Sequence, residues 1–159
     1  MNMEEYFLRL RAIADYQFGR GAGDCLFEDG DKVILSKRTK RIKMVLNSNG
    51  NIVVAFRPKD GYLTLGIEGA KRLLTKFKDL ALKVVANEEA EPFIKKGRDL
   101  FAKHVIEASS EIRPGDEVIV VNRFGELLGV GTAMLNGEEM LSFRRGVAVK
   151  IRKGVSQGV

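Results

Sequence analysis

Three pieces of the C-terminal half decide the fold: EPFIKKGRDLFAKHV at 91–105, PGDEVIVVNRFGELLGVGTAML at 114–135 and NGEEMLSFRRGVAVKIRKG at 136–154. In the first piece, Pro92 stands where a first helical turn tolerates proline, and Gly97 is placed to end that helix. Aliphatic and aromatic residues follow at once. This piece therefore predicts a short helix that a glycine ends immediately before a strand.

The rest of this half is predicted to consist of short strands. Branched and aliphatic residues dominate several runs, which turn residues such as Pro114 and Gly115 separate. The strands are expected near 82–85 and at 100–106, 117–121, 127–135 and 147–152. One or two helical turns at 136–143 precede the last strand. Several short strands, of which the last is expected to close the sheet, favour a small mixed β-barrel.

The N-terminal half combines helical and strand patterns. Apolar residues recur at helical spacing over 3–18 and 67–78, which predicts two helices with one buried face each. Gly19, Gly21 and Gly23 are expected to form a flexible connector after the first helix. Antiparallel strands are expected at 33–36, 42–46, 52–56 and 62–65. The predicted α+β unit is therefore a helix, a four-stranded antiparallel sheet and a helix.

The second of these strands is expected to alternate regularly. Successive side chains along a strand point to opposite faces of the sheet. The two expected groups are Ile42, Met44 and Leu46 on one face and Arg41, Lys43 and Val45 on the other.

Composition limits the class of protein. The chain has 159 residues and a net charge of +6, with a pI near 9.5, which favours contact with nucleic acid or another anionic surface. The pattern restarts near residue 80 without a Pro/Ser-rich linker, so two packed domains are expected at 1–80 and 81–159. The one cysteine fits a reducing cytoplasm, and no apolar run reaches membrane-spanning length.

The densest positive charge lies at 37–43, in the sequence KRTKRIK. Five of these seven residues are cationic, and the predicted hairpin places them at its tip. Crowded like charges are more easily tolerated where a polyanion neutralises them. A solvated hairpin tip is the alternative explanation. The basic tip is defined as Lys37, Arg38, Lys40, Arg41 and Lys43.

Two further groups of cations lie in the C-terminal half. The first surrounds Gly97 and consists of Lys95, Lys96, Arg98 and Lys103. A glycine beside cations lets a phosphate or ribose approach the backbone, but a helix end favours lysines in any case. Lys150 and Arg152 form the second group, on the predicted outer face of the last strand. Protection of a sheet edge by charge is the alternative there.

No catalytic constellation is predicted. His104 falls within a predicted strand and Cys25 has no predicted base nearby, so both are expected to be structural. One cysteine and one histidine cannot form a Cys/His zinc site. No metal, no cofactor and no enzymatic activity of the chain itself are therefore expected.

The C-terminal pieces resemble a PUA domain, the RNA-binding module named after pseudouridine synthases and archaeosine transglycosylases. The matching pieces are EPFIKKGRDLFAKHV, PGDEVIVVNRFGELLGVGTAML and GVAVKIRKG. The front half is similar to the region before the PUA domain in archaeal tRNA-guanine transglycosylases. Its matching segments are ADYQFGRGAG at 14–23, SKRTKRIK at 36–43 and DGYLTLGIEGAKRL at 60–73.

This resemblance implies a tRNA-binding module. In the family, the PUA domain contacts the acceptor stem and 3′ end through the helix–glycine–strand region and the closing strand. The matching positions here are Lys95, Lys96, Gly97, Arg98, Phe101, Lys103, Lys150 and Arg152. The front unit is similar to one that helps to hold the tRNA, with the basic tip as its most positive surface. The family's catalytic barrel, with its aspartate nucleophile and zinc site, lies outside the matching segments.

The expected function is therefore non-catalytic binding of RNA, with tRNA as the implied partner, in a detached module for tRNA modification. Two alternatives stay open. One is an accessory subunit of a separate transglycosylase-type catalytic chain. The other is a ribosome-biogenesis or translation factor that binds ribosomal RNA.

Overall fold

The computed structural model describes residues 2–157 of the chain. The chain divides into two compact units, the first ending at Leu80 and the second beginning at Ala81. Each unit has its own sheet and its own set of buried apolar side chains.

Within residues 2–80 the first unit has three helices: α1 (Met3–Phe18), α2 (Ala22–Leu26) and α3 (Ile67–Lys76). Asn2 begins α1, because its side chain accepts a hydrogen bond, 2.9 Å long, from the Glu5 amide. That amide would otherwise lack a partner in the first helical turn. The two predicted helices are confirmed, and α2 is a third.

The sheet of the first unit is an antiparallel meander in the order β1-β2-β3-β4. Its strands are β1 (Lys32–Leu35), β2 (Ile42–Leu46), β3 (Ile52–Phe56) and β4 (Leu63–Leu65). Val45, Val53 and Val54 are fully buried, and burial of each such side chain stabilises the fold by about 1.5–3 kcal/mol. The predicted helix, four-stranded sheet and helix are confirmed.

The segment after α1 is helical, and the expectation of a flexible connector through Gly23 is wrong. A Cβ at Gly23 would lie 2.5 Å from the carbonyl oxygen of Arg11, so glycine is what lets α2 approach α1. Asp15 on α1 also accepts a hydrogen bond from the Gly23 amide over 2.7 Å. This glycine therefore serves close helix packing and not backbone freedom.

Regular alternation fails in β2. The pairing of β1 with β2 shifts register between Ile34 and Leu35, which leaves Lys43 as the extra residue of a β-bulge. Ile42 and Val45 are consequently both buried, with 8% and 0% of their surface exposed. The predicted division of this strand into faces is wrong, because the bulge moves Val45 to the buried face.

The second unit is a six-stranded mixed sheet that curls into a nearly closed barrel, in the order β6-β10-β9-β8-β5-β7. Only the pairing of β5 with β8 is parallel among the described strands. The strands are β5 (Lys83–Ala86), β6 (Leu100–Phe101), β7 (Val105–Ala108), β8 (Glu117–Val121), β9 (Leu127–Ala133) and β10 (Val147–Gly154). Two short helices, α4 (Glu91–Lys95) and α5 (Gly137–Ser142), precede β6 and β10. The predicted small mixed barrel is confirmed.

The strand predicted over 100–106 is interrupted. A 3-10 turn at Ala102–His104 separates β6 from β7, so the expectation that His104 lies in a strand is wrong. The amide of Asn87 donates to the carbonyl of His104 over 2.9 Å, which holds the turn. The break lets β6 pair with β10 at one edge of the sheet and β7 pair with β5 at the other, which one straight strand could not do.

Candidate nucleic-acid interface

Helix α4 ends in a Schellman motif at Gly97. The Gly97 amide donates to the Ile94 carbonyl over 2.9 Å, and the Arg98 amide donates to the Phe93 carbonyl over 3.0 Å. The φ of Gly97 is +92°, a left-handed backbone that glycine adopts with little strain. Lys96 and Arg98 are exposed on either side of it. The glycine predicted to end this helix therefore does so.

The end of α4 packs closely against the end of β10. A Cβ at Gly154 would lie 2.3 Å from the carbonyl oxygens of both Ile94 and Lys95, so glycine is required for this approach. The Ser156 amide donates to the Lys95 carbonyl over 2.9 Å. The ammonium of Lys95 lies 3.5 Å from Glu91 Oε1, which screens part of its charge. The basic end of α4 is therefore fixed beside the last residues of β10.

The segment that follows α4 lies along the closing strand, because β6 runs antiparallel to β10. Two pairs define the register, Phe101 with Val147 and Leu100 with Val149. Farther along, Asp99 Oδ1 accepts a hydrogen bond of 3.0 Å from the amide of Ile151, a residue 52 positions away in sequence. The two cation groups that were predicted separately in this half therefore lie on neighbouring segments.

The residues on these two segments that were predicted to contact RNA are mostly exposed. Burial of Val149 and Ile151 turns Lys150 and Arg152 outward. The other exposed side chains are those of Lys96, Arg98, Phe101 and Lys103. Phe101, the aromatic residue of this set, is 46% exposed. The β10 surface is defined as Lys95, Lys96, Gly97, Arg98, Phe101, Lys103, Lys150 and Arg152.

Arg152 is held by an acid that lies beneath the surface. Its Nη1 donates to Glu117 Oε1 over 2.9 Å and its Nη2 donates to Oε2, across the intervening strand β9. The Glu117 side chain is fully buried, whereas that of Arg152 is 37% exposed. The guanidinium thus compensates a buried carboxylate. The guanidinium of Arg152 is thus engaged with Glu117, whereas Lys150 on the same strand is exposed.

Gly97 is covered by a side chain from beyond β10. A Cβ built on Gly97 would lie 2.3 Å from Nε2 of Gln157. The Oε1 atom of Gln157 accepts a hydrogen bond from the Gly154 amide over 2.9 Å, which fixes the side chain in this position. A phosphate or ribose that approached Gly97 from this side would displace Gln157.

Sequence reasoning missed two acids that shape the β10 surface. Glu117 pairs with Arg152, and Asp99 accepts the amide of Ile151. A lone acid that opens an apolar run such as Glu117–Val121 indicates a buried partner, since an unpaired buried carboxylate is strongly unfavourable. Asp99 carries no such indication, because its role depends on the pairing of β6 with β10.

The basic tip covers the β1–β2 turn of the first unit and extends to Lys43 in β2. Ser36 closes the turn, since its carbonyl accepts from the Lys40 amide over 2.9 Å and its amide donates to the Arg41 carbonyl over 2.7 Å. Lys40 has a φ of +63°, the left-handed conformation that such a turn requires. All five cations of the tip are exposed. The backbone is therefore fixed while the charges face solvent.

Cys25 and His104 are the cysteine and the histidine of the chain. Residues 2–157 hold no group of three or more His, Cys, Asp or Glu side chains placed to bind a metal ion. Cys25 is half-buried in α2, and Nδ1 of His104 lies 3.1 Å from the side-chain amide of Asn87. No helix in this part of the chain combines the length and apolar composition that a bilayer crossing needs.

Comparison with known proteins matches both units to domain families. Residues 8–79 match the patch-forming domain C2 of tRNA-guanine transglycosylase, and residues 82–155 match the PUA domain. The tRNA-guanine(15) transglycosylase of Thermococcus kodakarensis is 49% identical over 146 residues, which is 92% of this chain. That of Pyrococcus furiosus is 46% identical over 154 residues, 97% of this chain. The chain spans about a quarter of these relatives, 25% and 26% of their lengths.

The chain resembles the C-terminal region of tRNA-guanine transglycosylases. The resemblance drawn from the sequence is thereby confirmed. A hypothetical protein from Pyrococcus horikoshii shares the fold with a TM-score of 0.77 and 22% identity, covering 99% of this chain and 94% of its own. A PUA domain protein from Thermoplasma acidophilum has a TM-score of 0.66 and 21% identity, with coverage of 97% and 91%. At these identities the two structures support the fold alone.

Proposed function

We propose that the chain is a non-catalytic RNA-binding module that binds tRNA at the acceptor stem and 3′ end and serves tRNA modification. The similarity of both units to a tRNA-guanine transglycosylase supports RNA binding and a link to tRNA modification. The observation that carries the proposal is the antiparallel pairing of β6 with β10, which brings the cations after α4 beside those of the closing strand.

The β10 surface suits phosphate and ribose contacts more than base recognition. Lysine and arginine side chains neutralise phosphates whatever the sequence, and A-form RNA exposes its phosphates and 2′-hydroxyls across a shallow minor groove. Arg98 can form two hydrogen bonds to one phosphate, whereas Lys150 acts as a point charge. Binding would therefore depend little on the base sequence of the stem.

The basic tip is proposed as a second region of phosphate contact. Five exposed cations on the β1–β2 turn and the adjoining start of β2 repel one another, and a polyanion would relieve that repulsion. The ordered backbone of the turn, closed by Ser36 and Lys40, limits the entropy lost when the charges meet a ligand. The tip would therefore add affinity without adding sequence preference.

A salt titration tests the electrostatic part of the proposal. Neutralisation of about five phosphates should make log K fall with log salt concentration at a slope of about −4. The measurement is filter binding of labelled tRNA to the full chain between low and physiological salt. Binding that does not respond to salt would remove the proposal.

Variants of the β10 surface test whether tRNA binds at that surface. Arg98→Ala and Lys150→Ala should each weaken tRNA binding and reduce the salt slope by about one. Lys83→Ala is the matched control, because Lys83 is exposed on β5, which β8 and β9 separate from β10 in the sheet order. An acceptor-stem hairpin that carries the 3′ end should bind more tightly than an anticodon hairpin, which offers the same kind of stem phosphates without that end. Equal effects of all three substitutions would contradict this location.

A second candidate function is that of an accessory chain for a transglycosylase-type catalytic subunit. This candidate is favoured because the chain is 49% identical to a tRNA-guanine(15) transglycosylase but spans only 25% of that enzyme's length. Affinity purification of the tagged chain from its own cells should then recover a catalytic chain together with tRNA. Crosslinking in cells to ribosomal RNA, with no tRNA recovered, would instead favour a role in ribosome biogenesis or translation.

A further inference from the structure

An exposed pair of aromatic rings lies in the first unit, outside the surfaces considered so far. The ring centroids of Tyr16 on α1 and Tyr62 beside β4 are 6.2 Å apart, with an angle of 36° between the planes. Tyr16 is 79% exposed and Tyr62 is 37% exposed. The nearby Tyr16 hydroxyl raises the pKa of Tyr62. The two adjacent rings thus present aromatic surface to solvent instead of filling the core.

The position of Tyr16 is fixed by its neighbour in sequence. The side chain of Gln17 donates to the Leu63 carbonyl over 2.7 Å and accepts from the Leu63 amide over 2.8 Å. β4 is an edge strand, so Gln17 satisfies backbone groups that a further strand would otherwise take. This double hydrogen bond ties the end of α1 to the start of β4, which places Tyr16 next to Tyr62.

Tyr62 is fixed by the β3–β4 turn. Its amide donates to Asp60 Oδ1 over 3.0 Å, and Asp60 Oδ1 also accepts from Nε of Arg57 over 3.0 Å. The Gly61 amide closes the turn by donating to the Arg57 carbonyl over 2.8 Å. Both rings therefore stand on an ordered backbone, and little further ordering would be needed for a planar ligand to stack on them.

Positive charge lies at the same end of the sheet as the tyrosines. In an antiparallel meander the β1–β2 and β3–β4 turns occur at one end, so the basic tip lies at the same end of the sheet as the turn that precedes Tyr62. Two strand spacings, about 10 Å, separate the backbones of these two turns. Lys59 is exposed within the β3–β4 turn itself. Aromatic rings beside such cations suit a base that is attached to phosphates.

We propose that Tyr16 and Tyr62 form a stacking platform for an unpaired nucleotide of the bound RNA, with the flanking phosphates held by Lys59 and the basic tip. The inference rests on the proposed RNA-binding function and adds the class of nucleotide that the first unit takes. Every base can stack on an aromatic ring, so the platform selects an unstacked nucleotide and does not discriminate between bases.

Two RNA hairpins test the platform: both end in the same compact tetraloop with stacked bases, and they differ only by one bulged nucleotide in the stem. Fluorescence anisotropy gives the affinity of the full chain for each, and 5-bromouridine at the bulge allows crosslinking and mapping of the contacted peptide. Wild type should prefer the bulged hairpin. Tyr16→Ala should weaken binding of the bulged hairpin about tenfold and that of the paired hairpin less than twofold. Crosslinks should map to the peptide that contains Tyr16 or Tyr62.

Two control variants separate stacking from other effects. Tyr16→Phe keeps the ring without the hydroxyl and should bind as wild type does. Leu8→Ala removes an apolar side chain that is 65% exposed on the same helix and should change neither affinity. Equal affinity of wild type for both hairpins, or no effect of Tyr16→Ala while binding stays salt-dependent, would overturn the platform and leave RNA binding intact. Failure of wild type to bind either hairpin would overturn both proposals.

Discussion

The guanidinium of Arg152 on β10 reaches across β9 and forms hydrogen bonds to both carboxylate oxygens of Glu117 on β8. The Glu117 side chain is fully buried, and that of Arg152 is 37% exposed. Three neighbouring strands of the barrel are thereby joined by one charged pair. A residue predicted to contact RNA thus also has a structural role, because the buried carboxylate depends on it.

Arg152→Ala should lower the free energy of unfolding of the second unit by about 3 kcal/mol, because it leaves a buried carboxylate without its counter-charge. The value lies at the lower end of the usual range, because Arg152 is 37% exposed. Once its side chain is removed, water can reach the Glu117 carboxylate and partly solvate it. Hydrogen exchange of the β8, β9 and β10 amides measures this loss in the second unit.

A double variant separates the uncompensated charge from lost packing. Glu117→Gln combined with Arg152→Ala should recover most of the stability, because the amide carries no charge that needs a partner. Lys150→Ala, on the same strand and exposed, should change stability by less than about 0.5 kcal/mol. Equal losses in the single and double variants would show that packing and not charge is responsible.

Local sequence patterns were sufficient to predict several helices and strands. The strands predicted at 42–46 and 52–56 occur with the same ends in β2 and β3, because branched residues bounded by turn residues define them locally. The helix predicted near 136–143 occurs as α5, where Asn136 and Glu139 form a reciprocal capping box. In each case the residues that decide the structure lie within a few positions of one another.

Features that depend on which strands or side chains pair with one another could not be predicted from local sequence patterns. The bulge at Lys43 arises from pairing with β1, and the break before His104 arises from pairing of β6 and β7 with different strands. The buried pair of Arg72 and Asp31, with a hydrogen bond of 2.6 Å, joins residues 41 positions apart. The β10 surface likewise depends on a register between segments that are far apart in sequence. Charge clusters were visible in the sequence, and the family resemblance, not any local pattern, implied that the two clusters of the second unit act together.

Gly97→Ala should destabilise the second unit by about 1–2 kcal/mol, because a non-glycine residue is strained at a φ of +92°. The added methyl group would also meet Nε2 of Gln157 at 2.3 Å and push that side chain away. Hydrogen exchange of the β10 amides, compared between wild type and the variant, measures the stability lost through both effects.

Gly115→Ala is the matched control for backbone strain. Its φ is +93°, and a Cβ there would meet nothing within 4 Å, so strain acts without crowding. Gly97→Ala should therefore lose more stability than Gly115→Ala. Adding Gln157→Ala to Gly97→Ala should remove the difference. If the difference persists in that double variant, contact with Gln157 does not explain it.

Stability of the first unit should fall in acid, because two of its carboxylates have lowered pKa values. A hydrogen bond from Lys76 is the main cause that lowers the pKa of Glu28, and a hydrogen bond from Arg57 does the same for Asp60. A group whose folded pKa is lowered stabilises the fold above its ordinary pKa and loses that contribution as pH falls through the folded value. The free energy of unfolding should therefore begin to decline below pH 4.5 and continue below 3.8.

Tyrosine fluorescence measures this decline in the first unit alone, since the chain has three tyrosines, Tyr6, Tyr16 and Tyr62, and no tryptophan. Urea unfolding at each pH gives the curve. Glu28→Gln combined with Asp60→Asn should flatten it, because the amides do not titrate and the linked proton uptake is lost. Asp29→Asn is the control, an exposed acid beside Glu28 whose removal should leave the shape of the curve unchanged. A curve that stays as steep in the double variant as in wild type would assign the acid sensitivity to other carboxylates.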